Sequence, residues 1–118
     1  LGHRLKRVRI ELADRMVEAQ IARLMAYRLI TIQKRGGVPN YEASMNKNYG
    51  AALGQRIAST GMHLLGMLGG LHHNSPLQPL KGRISHTYLS SVASTIAAGT
   101  SEVNRNVIAT RGLGLPRS

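Results

Sequence analysis

The sequence contains no cysteine, tryptophan or phenylalanine, and it holds only five acidic residues in 118. Without cysteine, a disulfide framework, a thiolate metal site and a cysteine nucleophile are all excluded, and the absence is typical of a reducing compartment. The four tyrosines are the only large aromatic side chains, so the core must be built from aliphatic residues, which pack well between helices. No run of about 20 apolar residues is present, and we therefore expect no membrane span.

The charge balance is strongly basic, with sixteen Lys and Arg against the five acidic residues, giving a net charge of +11. This excess raises the hypothesis of a basic helical adaptor that binds nucleic acid. Against it, the basic residues of the first segment alternate with acidic ones, and no aromatic platform for stacking bases is present. A phosphate-rich small ligand, or an acidic remainder of a larger protein, explains the charge equally well, and we expect no nucleic-acid partner.

Apolar residues recur at steps of three and four and predict two long helices. The first covers Leu5–Lys34, has a wide apolar arc typical of an inner member of a bundle, and stops at Gly36. The second begins at Asn40, whose side chain is expected to cap it, and its apolar stripe continues to Leu68.

Two shorter helices are predicted beyond the second break, over Ile84–Ile96 and from Thr100 or Ser101 to about Arg111. The predicted fold class is therefore all-α, an up-and-down helical bundle in a single domain over residues 1–118. Inside the second helix, Gly50 and Gly54 indicate either the close approach of another backbone or a locally weak helix.

Two helices of nearly 30 residues form rods about 40 Å long, and the two short helices cannot cover them. We expect the remaining apolar surface to be buried against another subunit or against sequence outside this chain. The chain opens with Leu1 rather than Met, so it is interpreted as a trimmed chain or a fragment, and any upstream targeting segment lies outside it. A cytoplasmic location is favoured, because the cysteine-free composition is typical of a reducing compartment.

The histidines give no strong metal signal. His72 and His73 are adjacent, so their side chains diverge, and no carboxylate lies near them in sequence; a solvated loop is predicted and no metal site. His63 stands in a mostly apolar helical segment, which is typical of a core histidine bonded to backbone. No nucleophile elbow and no phosphate-binding loop is present.

The C-terminal run Thr95–Ala109 contains the letters G-T-S-E-V-N-R followed by N-V-I-A. It closely resembles the C-terminal signature of the flavin-dependent acyl-CoA dehydrogenases. Ala22–Arg28 is similar to the first hairpin helix of that family's C-terminal domain, and Glu42–Lys47 is similar to the segment that opens the next helix. The resemblance covers nearly the whole chain and implies that the bundle's opening helix, an N-terminal helical domain and a central β-domain lie outside it.

The resemblance implies an FAD-dependent oxidoreductase of fatty acid metabolism that converts an acyl-CoA thioester to an enoyl-CoA. A carboxylate takes the α proton while the β hydride passes to flavin N5, and an electron-transfer acceptor reoxidises the flavin. The implied protein is a homo- or hetero-oligomer that associates through the helical bundle, and this fragment alone is not expected to be active. The alternative is a non-catalytic structural subunit of a heteromeric acyl-CoA dehydrogenase.

Two substrate-contacting residues follow from the same resemblance. Many members place the catalytic Glu immediately before G-T-S, where this chain has Ala98, whose methyl group cannot take a proton. Some relatives carry the Glu on the opening helix instead, which lies outside this chain. The backbone N–H of Ala98 can still meet the thioester oxygen, and Gly99 leaves room for the acyl chain or the flavin.

The resemblance also implies two sets of FAD contacts. Thr100, Ser101 and Glu102 form the first set and would equally serve as an ordinary helix cap. His63 and Gly66 fall on the second, where His replaces the family's Gln and one Gly is lost. This departure is similar to that of members built from unlike subunits, in which one flavin half-site can decay.

Overall fold

The computed structural model describes residues 2–71 and 74–117, and these residues form helices and turns without any strand. The predicted all-α class is confirmed. Four α-helices follow one another along the chain: α1 (Gly2–Lys34), α2 (Tyr41–Leu65), α3 (Arg83–Ser94) and α4 (Ser101–Val107). Two 3-10 turns lie between α2 and α3, at Gly66–Gly70 and Pro79–Gly82, and a π turn at Ile108–Gly112 follows α4.

Glycines with positive φ end the two long helices. After α1, Gly36 adopts φ +78°, and the N–H of Gly37 donates to the carbonyl of Ile32 at 2.9 Å, which is the Schellman arrangement and confirms the predicted stop. Gly66 adopts φ +57° and ends α2 three residues earlier than its apolar stripe predicted. The apolar residues keep their spacing as far as Leu68, because side chains in a 3-10 turn recur at nearly the same spacing as in an α-helix.

Helices α1 and α2 form an antiparallel hairpin. Three pairs of an acidic group with a basic or imidazole group cross between them: Glu11 with His63 at 3.3 Å, Glu18 with Arg56 at 3.0 Å and Arg28 with Glu42 at 3.8 Å. Residue numbers rise along α1 as they fall along α2, which fixes the opposite directions. Exposed ion pairs of this kind contribute little stability, about 0–1 kcal/mol each, but they report the register clearly.

Helix α3 also runs antiparallel to α2 and packs closely against it at Gly61. A Cβ on Gly61 would lie 2.9 Å from Cγ2 of Ile84, so a side chain there would push the two helices apart. At Gly50 and Gly54, by contrast, an added Cβ would meet nothing within 4 Å in the described residues. Of the two alternatives for these glycines, the close approach of another backbone is therefore not found among the described residues.

The hydrophobic core is thin. In the described part of the chain, Leu53 and Ala58 are the only buried apolar residues. The accessible surface is 8751 Å², against about 6,300 Å² for a compact folded monomer of 12.8 kDa. The radius of gyration is 17.7 Å, where about 13.5 Å is typical for this length. The molecule is elongated because two rods are paired and little covers their outer faces.

Helix α1 carries more of the exposed large apolar side chains than any other element, because it packs mainly on α2. Its exposed large apolar side chains are Leu5, Ile10, Leu12, Met16, Val17, Ile21, Leu24, Tyr27 and Ile30. As expected, the two short helices leave much of the long ones uncovered; burial of that surface against another subunit or against sequence outside this chain stays a prediction. The prediction that α1 is an inner helix, covered on several sides, is not met within these residues.

Neither a membrane segment nor a metal site is found in residues 2–71 and 74–117. None of their helices combines the length and apolar composition that a bilayer-spanning segment needs. No cluster of three or more metal-ligating side chains occurs among them. The predicted loop at His72 and His73 lies outside the described residues.

Candidate functional site

The segment between α3 and α4, residues 95–100, is here called the inter-helix turn. Two overlapping turns follow α3. The backbone then adopts left-handed angles, with Ala98 at φ +56° and Gly99 at φ +93°. A left-handed conformation costs a non-glycine residue about 1–2 kcal/mol, and such strain persists where surrounding contacts hold it in place. A Cβ on Gly99 would also lie 3.1 Å from Nδ2 of Asn104, so glycine suits this position for two reasons.

Three consecutive backbone amides in the inter-helix turn are unpaired. The N–H groups of Ala98, Gly99 and Thr100 have no hydrogen-bond acceptor anywhere in the described part of the chain. Unpaired amides next to one another are the usual means of holding an anion or a developing oxyanion. The turn is thus a cluster of donors without acceptors.

The carbonyls of the same turn are held by side chains from α2 and α4. Lys47 Nζ donates to the carbonyl of Gly99 at 2.5 Å and lies 3.5 Å from that of Thr95. Asn104, which is buried, donates from Nδ2 to the carbonyls of Gly99 at 3.1 Å and Thr100 at 2.9 Å. Within a planar peptide unit the N–H points opposite to the C=O, so the N–H of Thr100 points away from Lys47.

Helix α4 begins as predicted. Thr100 has extended backbone angles, and its Oγ1 accepts a hydrogen bond from the N–H of Val103 at 3.3 Å, which confirms the cap. The pKa of Glu102 is lowered, chiefly by its own backbone N–H and next by the Thr100 hydroxyl, with Arg105 and Lys47 adding smaller electrostatic contributions. Ser101 is partly buried, and its carbonyl accepts from Asn48 Nδ2 at 3.3 Å, so α2 also holds the first turn of α4.

The second predicted set of contacts lies at the other end of α2. His63 is sixteen residues beyond Lys47, a distance of about 24 Å along the helix. His63 Nδ1 lies 3.3 Å from Glu11 Oε2, and its side chain is 57% exposed, so it is not the core histidine that its apolar neighbours predict. His63 and Gly66 line a cavity of about 520 Å³ with Arg7, Val8, Glu11 and Met62. The chain does not bring its two sets of predicted site residues together.

Charge within this cavity is balanced by one carboxylate. The pKa of Glu11 is lowered, first by its contact with His63 and then by that with Arg7, while partial burial opposes the shift. Arg7 Nε donates to Glu11 Oε1 at 3.2 Å. The cavity therefore offers donors from Arg7 and His63 with an ionised carboxylate beside them.

Sequence reasoning missed the side chains that hold the turn, and it gave Asn40 the wrong role. Asn40 makes no side-chain cap to α2; its Oδ1 accepts from Arg111 Nη1 at 2.8 Å, which ties the end of the chain to the start of α2. Lys47 and Asn104 both lie inside segments that resemble the family signature. The sequence does not show, however, that both side chains donate to the carbonyl of Gly99. The contact of Lys47 with the Gly99 carbonyl joins residues 52 positions apart.

Comparisons with known proteins agree with this architecture. The family model for the acyl-CoA dehydrogenase C-terminal domain matches residues 4–113. The acyl-CoA dehydrogenase FadE26 of Mycobacterium tuberculosis (strain ATCC 25618 / H37Rv) is 32% identical over 114 residues, which are 94% of this chain and 28% of that protein. The chain thus spans less than a third of the length of this relative.

Two solved structures are similar over the same part of the chain. The ChsE4–ChsE5 complex from Mycobacterium tuberculosis superposes with a TM-score of 0.84 at 31% identity, covering 94% of this chain and 29% of that one. The Tcur3481–Tcur3483 steroid ACAD gives a TM-score of 0.88 at 29% identity, with the same coverage. The family model, the sequence relative and both structures point to one assignment: this chain belongs to the acyl-CoA dehydrogenase family, as its C-terminal helical domain.

Proposed function

We propose that this chain works as the C-terminal helical domain of a longer flavin-dependent acyl-CoA dehydrogenase, and that its inter-helix turn binds the acyl-CoA thioester and FAD. The observation that carries the proposal is the run of three unpaired amides at Ala98, Gly99 and Thr100, beside the capped start of α4. Family membership indicates the class of reaction, and the amides of the turn can bind the oxygen atoms of the thioester and of FAD.

The donor chemistry of the turn fits both ligands. A thioester carbonyl and the carbonyl and ring nitrogen atoms of a flavin all accept hydrogen bonds from N–H groups. An amide donor aimed at the thioester oxygen stabilises the negative charge that develops there as the α proton leaves. FAD, when bound, supplies the oxidant that takes the hydride from the β carbon. Ala98 and Gly99 would contact substrate, and the side chains of Thr100, Ser101 and Glu102 would contact the cofactor. The N–H of Thr100 would face the thioester oxygen together with that of Ala98.

The base must come from outside the inter-helix turn. Ala98 has no ionisable group, and no Asp or Glu occurs between Glu42 and Glu102. Glu102 is exposed and lies 4.0 Å from Arg105. We therefore assign the proton-accepting carboxylate either to the missing opening helix of this bundle or to a partner subunit.

A heteromeric enzyme in which this chain is the non-catalytic subunit is the second candidate. It is favoured by Ala98 in place of a carboxylate. It is also favoured by the position of the two sets of predicted contacts near opposite ends of α2, where Lys47 and His63 are about 24 Å apart along the helix, so that each set is a half-site. The uncovered apolar face of α1 suits association with further helices. The two similar structures, the ChsE4–ChsE5 complex and the Tcur3481–Tcur3483 steroid ACAD, each combine two components.

A steroid-bearing acyl-CoA thioester is the substrate class to test first, because the Tcur3481–Tcur3483 neighbour is a steroid ACAD. The proposed electron acceptor is an electron-transfer protein, and the proposed location is the bacterial cytoplasm, by analogy with the mycobacterial relative. Nucleic acid is not proposed as a partner, because four of the arginines on α1 and α2 pair with carboxylates.

The proposal is tested on the complete polypeptide, purified alone and after co-expression with its candidate partner subunit. We expect flavin absorbance in at least one of the two preparations, and bleaching of that absorbance when a steroid acyl-CoA is added without oxygen. A complete protein that binds no flavin in either preparation contradicts the proposal.

The substitution Ala98→Glu separates the two candidates. If the turn is a decayed site, the new carboxylate gives an inactive subunit measurable dehydrogenation. If the base lies on the opening helix, the parent is active, and removing each upstream carboxylate near the flavin in turn finds one whose loss abolishes activity. An active parent unharmed by all of those removals refutes a displaced base.

A further inference from the structure

We propose that Lys47 is a positioning residue for the inter-helix turn: its ammonium group holds the carbonyl of Gly99 towards α2 and so directs the N–H group of Thr100 to the ligand. The identity of that ligand as an acyl-CoA thioester rests on the proposed function. Lys47 itself contacts carbonyl oxygens of the turn, so its effect on a ligand is exerted through the peptide units that it holds.

Helix α2 positions the ammonium group of Lys47, and no carboxylate among the described residues pairs with it. Lys47 lies one turn and a half into α2 and is partly buried, and no carboxylate of the described residues lies within 4 Å of its Nζ. Its hydrogen bonds go to the carbonyls of Gly99 and Thr95. A hydrogen bond from an ionised donor is roughly twice as strong as one between neutral groups, so these contacts are well suited to hold a strained turn.

The bond to Gly99 fixes an orientation as well as a position. The Gly99 carbonyl receives Lys47 on one side and Asn104 on the other, so the peptide unit between Gly99 and Thr100 cannot rotate without losing both. Because the N–H of that unit points opposite to its carbonyl, the Thr100 N–H must face away from α2. Without the two donors, rotation of the unit would let its N–H turn towards α2.

The positive charge has a second effect, on donor strength. An ammonium group on the carbonyl oxygen draws electron density through the peptide unit and makes its N–H a stronger donor, since hydrogen bonds in series polarise one another. Lys47 therefore both aims and strengthens the Thr100 amide. Asn104 can only aim it, because its amide group carries no net charge.

Three variants of the complete, flavin-containing protein test the inference. Lys47→Met removes the charge and the donors while keeping the length of the side chain, and Lys47→Arg restores both. Lys6→Met removes an exposed lysine from α1 and is the matched control. Each protein is examined for flavin content, thermal unfolding, kcat and KM with a steroid acyl-CoA, and the infrared carbonyl band of the bound thioester.

We expect Lys47→Met to lower kcat at least tenfold at temperatures well below unfolding, while its flavin content stays close to that of the parent. The thioester band should shift to lower wavenumber on binding to the parent and should shift less on binding to Lys47→Met. Lys47→Arg should recover most of both effects, and Lys6→Met should match the parent.

The inference is overturned if Lys47→Met turns over and shifts the carbonyl band as the parent does, or if its losses follow its melting temperature and Lys47→Arg recovers nothing. A parent protein that holds no flavin or gives no thioester signal overturns the proposed function itself, and the inference with it. The two failures are distinguishable because the first appears only in the Lys47 variants.

Discussion

Thr100 has two roles in this account, and substitutions at this one position can separate them. Its Oγ1 accepts from the N–H of Val103 at 3.3 Å and so caps α4, and it is proposed to lie against FAD. Replacing a threonine cap with alanine costs about 1 kcal/mol of folding free energy, and the rather long bond places this site at or below that value. Aspartate retains an acceptor for the cap.

The proposed flavin contact makes the opposite demand. An aspartate at position 100 adds a negative charge beside an anionic cofactor. For charges about 6 Å apart at an effective dielectric constant of about 20, the repulsion is about 3 kcal/mol, or roughly a hundredfold in affinity. Losing one neutral hydrogen bond in Thr100→Ala costs about 1 kcal/mol, or roughly fivefold. We therefore expect Thr100→Asp to retain FAD less well than Thr100→Ala, with Thr100→Ser close to the parent.

The assay is done on the complete protein with two readouts. Flavin fluorescence during titration of the apoprotein gives the affinity for FAD, and thermal unfolding of the apoprotein measures how much the helix cap contributes to stability. Thr100→Asp should melt close to the parent, and Thr100→Ala a few degrees lower. If Thr100→Asp holds FAD as tightly as the parent does, Thr100 is only a cap and the placement of FAD at this turn is wrong.

Three further predictions concern stability. The 118-residue chain in isolation should self-associate or bind apolar dyes, because α1 exposes a face of large apolar side chains; a monomer with a sharp thermal transition contradicts this. Ala98→Gly should raise the unfolding free energy of the complete protein by about 0.5–1 kcal/mol in denaturant titrations, since glycine tolerates φ +56°; an unchanged midpoint argues against strain at Ala98. Finally, the pKa of Glu11 is lowered by His63 and Arg7, so its contribution to stability is present above the ordinary carboxyl pKa and is lost as pH falls through the lowered one. Melting curves between about pH 6 and pH 3 should fall less steeply for Glu11→Gln than for the parent, and equal slopes refute the assignment.

The helices were predictable because their signals are local. Steps of three and four among apolar residues predict α1 and α2, and Gly36 marks the end of α1 because only a left-handed residue completes the bonds that close it. The end of α2 was not predictable, since Gly66 stops it by adopting positive φ while Gly50 and Gly54 remain helical. A glycine can therefore lie inside a helix or end it, and the tertiary surroundings decide which of the two it does.

The position of the candidate site was predictable from the sequence, but the side chains that contact it were not. The G-T-S-E run located the turn and the cap at Thr100 directly. Sequence analysis missed Lys47, Asn48 and Asn104 because a lysine or an asparagine on a helix is ordinarily solvated. Only the packing of α2 and α4 around the turn makes them donors to the carbonyls of the turn and of Ser101. Asn40 shows the converse case, where a residue suited to capping is used by Arg111 instead.

Amide hydrogen exchange at the inter-helix turn is the measurement that tests the central claim most directly. In the complete, flavin-containing protein without substrate, we expect at least one of the N–H groups of Ala98, Gly99 and Thr100 to lack an acceptor and to exchange quickly. Adding a steroid acyl-CoA thioester without an electron acceptor should slow exchange in the peptide that spans these residues and leave the tip of α1 unchanged. If the thioester binds, as flavin bleaching would show, and exchange at residues 98–100 does not slow, the ligand is held elsewhere and the account of this turn is contradicted.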